Sequence, residues 1–385
     1  MLSRLTRTLV AAVVVAIVCP AALAAEADAA AKAKAVADKG LAFLKTRQAA
    51  DGSWQTSPRD PPGISALVLR AYAQDPASGP KADFVAKGYA WLLTVQKPDG
   101  GIYADMLSNY NTAIAVSALA AANDPAMRPA IDKAVAYLKG VQVKGDPADP
   151  SVGGASYGGK GRDGKPQRAD LSNTHLMIEA LRDAGLKPDD PAFKEALKFV
   201  SRSQNRSESN DQKWAGNDGG FVYTPANGGE SNAGDYTEPD GNKRLRSYGL
   251  MTYAGLKSMI YAGLTKDDPR VKAAWDWVTK NWTLEENPGM RAMGAEKAKS
   301  GMFFYYHTVA TALHAYGEPT IVDPKGEKHD WRVELIDKLA SLQQPDGSFV
   351  GDKSWMENNP TLATSYVVLA LQAVQRDLKE RPVAK

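Results

Sequence analysis

Cysteine is almost absent. Of 385 residues one is Cys, at position 19, inside a segment that reads as a leader. Without it the chain can form no disulfide, and it offers no thiolate nucleophile and no Cys-ligated zinc. Histidine is scarce too, with four copies. No sign of charge dominates: 47 Lys plus Arg stand against 44 Asp plus Glu, a net of +3. That balance argues against nucleic acid as a partner. Gly and Pro, 33 and 23 residues, are near average usage, so the chain is neither collagen-like nor globally disordered. Strand-like alternation is rare. The one long apolar run, Leu9 to Val18, is too short to span a bilayer.

That run has the flanks of a targeting signal. Arg4 and Arg7 precede it, and Ala22-Leu23-Ala24 follows as a small-x-small cleavage site. Residues 1–24 are expected to be a signal peptide and 25–385 one exported domain, periplasmic or extracellular, with no membrane span of its own. A lipid anchor on Cys19 fits less well, because Val18 stands where a small residue is usual.

Six segments share one plan. An aromatic residue sits five positions before a Gln, a Gly-rich turn with a second aromatic follows, and then a more apolar helical stretch. The pairs are Phe43 with Gln48, Trp91 with Gln96, Tyr137 with Gln142 and Phe199 with Gln204. In the fifth, Trp282 takes the Gln position and GMFFYY the turn. In the sixth, Lys338 replaces the aromatic before Gln343. The turns end at Trp54, Tyr103, Tyr157, Tyr223, Tyr306 and Phe349. Apolar spacing on both sides of each turn is helical. Asp124-Pro125, Asp190-Pro191 and Asp268-Pro269 are helix starts, with Asp as N-cap and Pro at N1. The second stretches, such as 112–122 and 364–374, carry few charges and suit helices buried on most faces. The expectation is an all-α chain of six helical hairpins, amphipathic helices outside and apolar helices inside.

The segment Gln48…Gly52-x-Trp54 resembles the "QW" motif of squalene–hopene and oxidosqualene cyclases, with Gln96…Gly100 and Gln343…Gly347-x-Phe349 as variants. The likeness runs through the mature chain. It implies the α6/α6 toroid shared by terpenoid cyclases and protein prenyltransferase β subunits. The stretches 251–257 and 286–290 also resemble bacterial secreted proteins with prenyltransferase and squalene oxidase repeats.

Every Gly-rich turn joins an outer helix to an inner one, so all lie at one end of such a ring. The insertions 144–170, 205–246 and 283–304 lie there too, and loops on a rigid scaffold commonly carry function. Aligned inner-helix starts place Asn173, His175, Tyr248, Tyr306, His307 and Tyr366 at this mouth, where N-capping is the competing explanation for the amides and hydroxyls. Asp170-Leu171-Ser172-Asn173-Thr174 aligns with the cyclase D-x-D-D-T motif, whose central Asp protonates an alkene. Ser172 and Asn173 replace two of its acids, and Asp170 alone remains. The resemblance to farnesyltransferase β subunits at Tyr306-His307-Thr308 brings no zinc site, since their zinc needs a Cys. Arg244 and Arg246 resemble that family's diphosphate-binding basic residues; a solvated charged loop fits equally well.

Three readings stay open. One is a ligand site for an isoprenoid or other lipid-like molecule, with Asp170, Tyr306 and His307 as its chemical groups and no metal or cofactor. Another is a glycan-acting toroid enzyme with Tyr306 and His307 as acid–base pair and Trp355 as a sugar platform. The third is a non-catalytic scaffold. An apolar, aromatic cavity favours the first; an open polar groove favours the second.

Overall fold

A computed structural model describes residues 20–382 apart from 56, 58, 59 and 159–167. The leader from Arg4 to Cys19 lies outside the described residues. In chain order the helices are α1 (Pro20–Thr46), α2 (Pro62–Ala73), α3 (Asp83–Thr94), α4 (Ser108–Ala121), α5 (Arg128–Val141), α6 (Leu171–Asp183) and α7 (Pro191–Arg202). They continue with α8 (Gly249–Tyr261), α9 (Pro269–Lys280), the one-turn α10 (Ala295–Ala298), α11 (Met302–Tyr316), α12 (Trp331–Leu342) and α13 (Pro360–Glu380).

Six of these helices form a closed inner ring. α2 packs on α4, α4 on α6, α6 on α8, α8 on α11, α11 on α13, and α13 returns to α2. Their composition explains the placement. In α8 every residue from Gly249 to Met259 is buried, and a helix apolar on all sides is stable only inside. The outer helices are one-sided: α7 buries Ala192, Phe193, Ala196, Phe199 and Val200, one helical stripe. Asp190 and Asp268 accept bonds from Ala192 N and Arg270 N, both at 2.9 Å, as the Asp-Pro starts of α7 and α9 require. Asp124-Pro125 opens a short 3₁₀ turn that leads into α5.

Two departures from an all-helical reading occur. Antiparallel pairs β1 (Asp235–Thr237) with β2 (Lys243–Leu245), and β3 (Thr320–Val322) with β4 (Lys328–Asp330), form two small hairpins in the connections. The fifth Gly–aromatic segment is also no turn: Met302 to Tyr306 is already helix, entered from a left-handed Gly301.

The remaining five turns are built alike. The Gln side-chain N–H donates twice, to the carbonyl of the turn Gly and to a carbonyl of the next outer helix. Gln48 reaches Gly52 (2.9 Å) and Phe84 (2.8 Å). Gln96 reaches Gly100 and Ala130, Gln142 reaches Gly153 and Ala192, and Gln204 reaches Gly219 and Arg270. Gln343 bonds Gly347 (3.1 Å) and, in α1, Val36 (2.9 Å), so the last repeat is fastened to the first. At the sixth junction Trp282 Nε1 donates to Glu334 Oε2 of α12 at 2.8 Å.

The turn glycines are forced by the same docking. Gly52, Gly100, Gly153, Gly219 and Gly347 all have positive φ, between 85° and 98°. A Cβ on them would lie 2.0–2.8 Å from the carbonyl oxygen of Lys87, Lys133, Glu195, Ala273 or Lys39. Each carbonyl is three residues after the one its Gln binds, so the turn lies along a single turn of the next helix. On the inner side, hydroxyls of Ser65, Thr112, Thr174, Thr252 and Thr364 accept a backbone N–H from the turn residue at 54, 102, 155, 221 or 349.

Two measurements check this construction. Gly219→Ala combines a strained left-handed residue with a backbone clash, and should cost roughly 2–5 kcal/mol. Gly185, also at positive φ but facing open space, should cost only about 1–2 kcal/mol on the same change. Equal losses in denaturant titrations would remove the docking argument. Gln343→Ala leaves two carbonyls without the ring-closing donor and should lower stability by about 2 kcal/mol, seen as a lower denaturant midpoint with an unchanged slope.

Candidate functional site

The inner helices begin around an apolar cavity of about 310 Å³. Ile64, Leu67, Ile114 and Leu362 supply its aliphatic wall, and Tyr110, Tyr157, Phe304 and Tyr366 its aromatic one. Tyr110 and Tyr366 meet through their hydroxyls at 3.2 Å, and Tyr157 stacks on Tyr110 with centroids 6.5 Å apart. The mouth is strained. Among the described residues five that are not glycine have positive φ, and three of them, Leu107, Trp355 and Met356, line this cavity. Such backbone costs of order 1–3 kcal/mol per residue and tends to mark functional sites. The rim is apolar as well, with Met106 75%, Trp355 44% and Met356 41% exposed.

Of the residues expected from sequence, Trp355 and Tyr366 line the cavity, and so does Ser172 of the segment that resembles the cyclase acid motif. Asp170 does not reach it. Asp170 caps α6, accepting from Asn173 N (2.8 Å) and Asn173 Nδ2 (2.9 Å). Asn173 in turn accepts from Asn109 and is wholly buried. Burial pushes the Asp170 carboxyl up to about 7, against the pull of the Asn173 donors and the Tyr223 hydroxyl. The Tyr223 hydroxyl also lies 3.2 Å from the Tyr157 hydroxyl, so tyrosines connect the buried acid to the cavity wall.

The proposed acid–base pair does not form. The Tyr306 hydroxyl donates to Leu284 O at 2.9 Å, and consecutive helix residues do not face each other. His307 instead stacks on Tyr366, centroids 5.6 Å apart, and among the described residues its Nδ1 has no hydrogen-bond partner. His175 lies against Phe304 with Nδ1 3.3 Å from Leu171 O. Burial, reinforced by Lys257, lowers both imidazoles to about 3, so both are neutral. Tyr248 accepts from Asn232 Nδ2 and is buried. Arg244 is spent on Glu238 and on the carbonyls of Lys213 and Ala215. Arg246 lies over the Tyr236 ring at 4.8 Å. These three are not part of the cavity wall.

Sequence reading missed two groups. Glu357 is buried beside the Trp355–Met356 bend, accepts from Phe304 N at 2.8 Å, and is raised to about 7 by burial. It caps α11 from another connection, which no local pattern reveals. The second group is a buried ionic layer behind the histidines. Lys257 Nζ donates to Glu179 Oε2 (2.6 Å) and Thr311 Oγ1 (3.2 Å), while Arg70 donates to Glu179 Oε1 (2.8 Å) and Asp183 Oδ2 (3.0 Å). Burial pushes the Glu179 carboxyl up, but Lys257 and Arg70 outweigh it and hold the group well below the usual carboxylate range. A lysine and a glutamate inside otherwise apolar helices were the available signal.

No protein-family model matches the chain, and no curated protein sequence does. Solved structures do match in fold. Type II terpene cyclase MstE from Scytonema, in complex with geranylgeranyl dihydroxybenzoate as substrate, is 14% identical over 91% of this chain and 99% of its own, with a TM-score of 0.57. A glycosidase is 10% identical over 90% and 98%, TM-score 0.50. A protein from Actinoplanes is 15% identical over 89% and 99%, TM-score 0.50. The likeness establishes a terpenoid-cyclase-like helical toroid.

The raised Asp170 carboxyl gives a pH signature. An unfolded carboxyl titrates near 4, and folded Asp170 near 7. Between those values the folded chain holds the extra proton. The stability this contributes is complete below about pH 4 and is lost as pH rises through about 7. Asp170→Asn keeps a capping side chain and should lose roughly 2–3 kcal/mol less than the parent between pH 5 and 8. The difference between the two stability curves cancels His175 and His307, which act in both. Parallel curves would show an ionised Asp170.

Proposed function

We propose that the chain is an exported protein of the squalene-cyclase-like, prenyltransferase-repeat type, built from six QW-like units, whose mouth cavity holds an isoprenoid or similar lipid-like chain. One observation carries the reading: the cavity wall is aliphatic and aromatic, closed by a strained apolar rim. A 150 Å³ apolar cavity accommodates benzene, so about 310 Å³ has room for roughly a dozen carbons. A longer chain would extend past Trp355 and Met356. The MstE complex shows that a toroid of this kind holds a geranylgeranyl compound, which supports the same ligand class here.

Protonation-initiated cyclisation of squalene is not part of this reading. An alkene is weakly basic and needs an activated carboxylic acid in contact with it. The position facing the cavity carries the Ser172 hydroxyl, and Asp170 is turned into its own cap. The glycan reading has the glycosidase likeness in its favour, but Tyr306 and His307 are not arranged as an acid–base pair and the cavity offers few polar groups. Export rests on Arg4, Arg7, the 9–18 run and the Ala22–Ala24 site. Cleavage after Ala24 leaves Ala29, Ala33, Val36 and Ala37, which α1 buries.

The mature protein, incubated with lipid and oligosaccharide extracts and examined by native mass spectrometry, should retain an isoprenoid or lipid. Ile114→Trp fills the cavity and should weaken binding of geranylgeraniol at least about tenfold, since even one lost methylene-sized contact region costs 1–3 kcal/mol. Squalene should be returned unchanged. A retained oligosaccharide, or binding indifferent to Ile114→Trp, sinks the reading. Cyclised triterpene that disappears in Asp170→Asn would show that the surviving acid suffices. Sequencing the N-terminus of the exported protein tests the cut near Ala24.

A further inference from the structure

The opposite end of the ring, where the inner helices finish, holds a second cavity of about 450 Å³. Its character is different, for Arg70, Arg182 and Arg376 line it together with Glu179 and Asp183. The carboxylates are already spent. Glu179 gives one oxygen to Arg70 and the other to Lys257, at 2.8 and 2.6 Å. Asp183 gives one oxygen to Arg70 at 3.0 Å and the other to Arg182 at 3.4 Å. Glu380, exposed at the edge, lies 3.5 Å from Arg381.

Arg376 is left over. It sits half-buried in this cavity and donates to the neutral side-chain oxygen of Gln74. Among the described residues no carboxylate lies within ion-pair distance of it. Burial and the neighbouring Arg70 disfavour its charge and outweigh the pull of Tyr261, Glu380 and Asp183. A guanidinium with spare donors, half-desolvated beside other arginines, is a site built for an oxyanion. The ordinary explanation is a cation placed to complement helix C-termini. Against it, the bond made here is to a side chain of α2's C-cap, not to terminal carbonyls.

We propose that this cavity binds the carboxylate or phosphate group of a small organic anion, with Arg376 as its direct partner and Arg182, held over the Tyr261 ring at 4.2 Å, as a second donor at the rim. The site is separate from the apolar cavity and does not depend on what occupies it.

The test uses the mature chain with inorganic phosphate and with citrate, against sodium chloride at equal ionic strength. Binding should raise the melting temperature of the parent by about 2–4 °C, saturating with concentration. The general salting effect of such anions is unsaturable and common to all variants. Arg376→Gln should abolish the saturable shift and Arg376→Lys should keep part of it. Without any anion, Arg376→Gln should melt at or above the parent temperature, because the guanidinium is unfavourable where it stands. A response to phosphate alone, or to citrate alone, names which oxyanion chemistry the site takes. The proposal is overturned if neither anion gives a saturable shift, if Arg376→Gln keeps the shift, or if Arg376→Gln destabilises the anion-free protein as the loss of a helix-end cation would.

Discussion

Each turn is held by one carboxamide nitrogen that donates in two directions, back to its own glycine and forward to the next outer helix. Everything else about the ring follows from that double bond being repeated. The forward bond sets how far one repeat stands from the next. The backward bond fixes a glycine against the neighbouring helix, where a Cβ would meet a carbonyl at 2.0–2.8 Å. A buried carbonyl left without its donor costs more than an average hydrogen bond contributes, so a repeat cannot shift along its neighbour without loss. Because Gln343 binds Val36, the series has no free end. The junction without Gln obeys the same demand by other means: the indole N–H of Trp282 reaches a carboxylate of the next outer helix.

A ring fastened at its rim tolerates a cavity at each end of its middle, and the two ends are chemically unlike. At the turn end, the inner-helix hydroxyls are consumed by the turns, which leaves aliphatic and aromatic side chains to line the cavity. At the far end the inner helices finish in arginines and acids. Between them lies the layer of Lys257, Glu179 and Arg70. Such a layer is expensive to desolvate and is no source of net stability by itself. Its physical consequence is local: the positive charge of Lys257 adds to burial in keeping His175 and His307 neutral, so the imidazoles packed behind the cavity residues Phe304 and Tyr366 carry no charge.

What was legible in the sequence was local. Gln, Gly and aromatic within a dozen residues, and Asp followed by Pro, act on backbone groups close by, and the structure uses them as their chemistry suggests. The Gln position held by Trp282 was identified by register alone, and its side chain does make the equivalent reach. Polar groups at the inner-helix starts do not by themselves mark a site: Thr112, Thr174 and Thr364 recur there because each binds a turn N–H. Tyr306 and His307 were adjacent in sequence and therefore diverge in a helix. What could not be read joined distant parts of the chain. Arg70 meets Glu179 across 109 residues, and Glu357 caps a helix that begins 55 residues earlier. Charge type was visible at these positions, but the partner was set by ring closure.

The position of Ser172 bears most directly on chemistry. It lines the cavity at the place where the resembled motif keeps its proton donor, while the acid two residues earlier is folded into the cap of α6. A helix start explains the division. Asp170 is the N-cap, so its carboxyl turns along the helix axis to meet the N–H of Asn173, and Ser172 on the first turn projects into the ring. An acid at 172 would lie next to a neighbour whose carboxyl burial already raises, where two carboxyls push each other's titration upward. A serine avoids that cost and leaves the wall nearly apolar. With Ser172 at this position the wall carries neither a proton donor nor a buried acid's desolvation penalty. On the proposed reading, such a wall holds a hydrocarbon chain without protonating it.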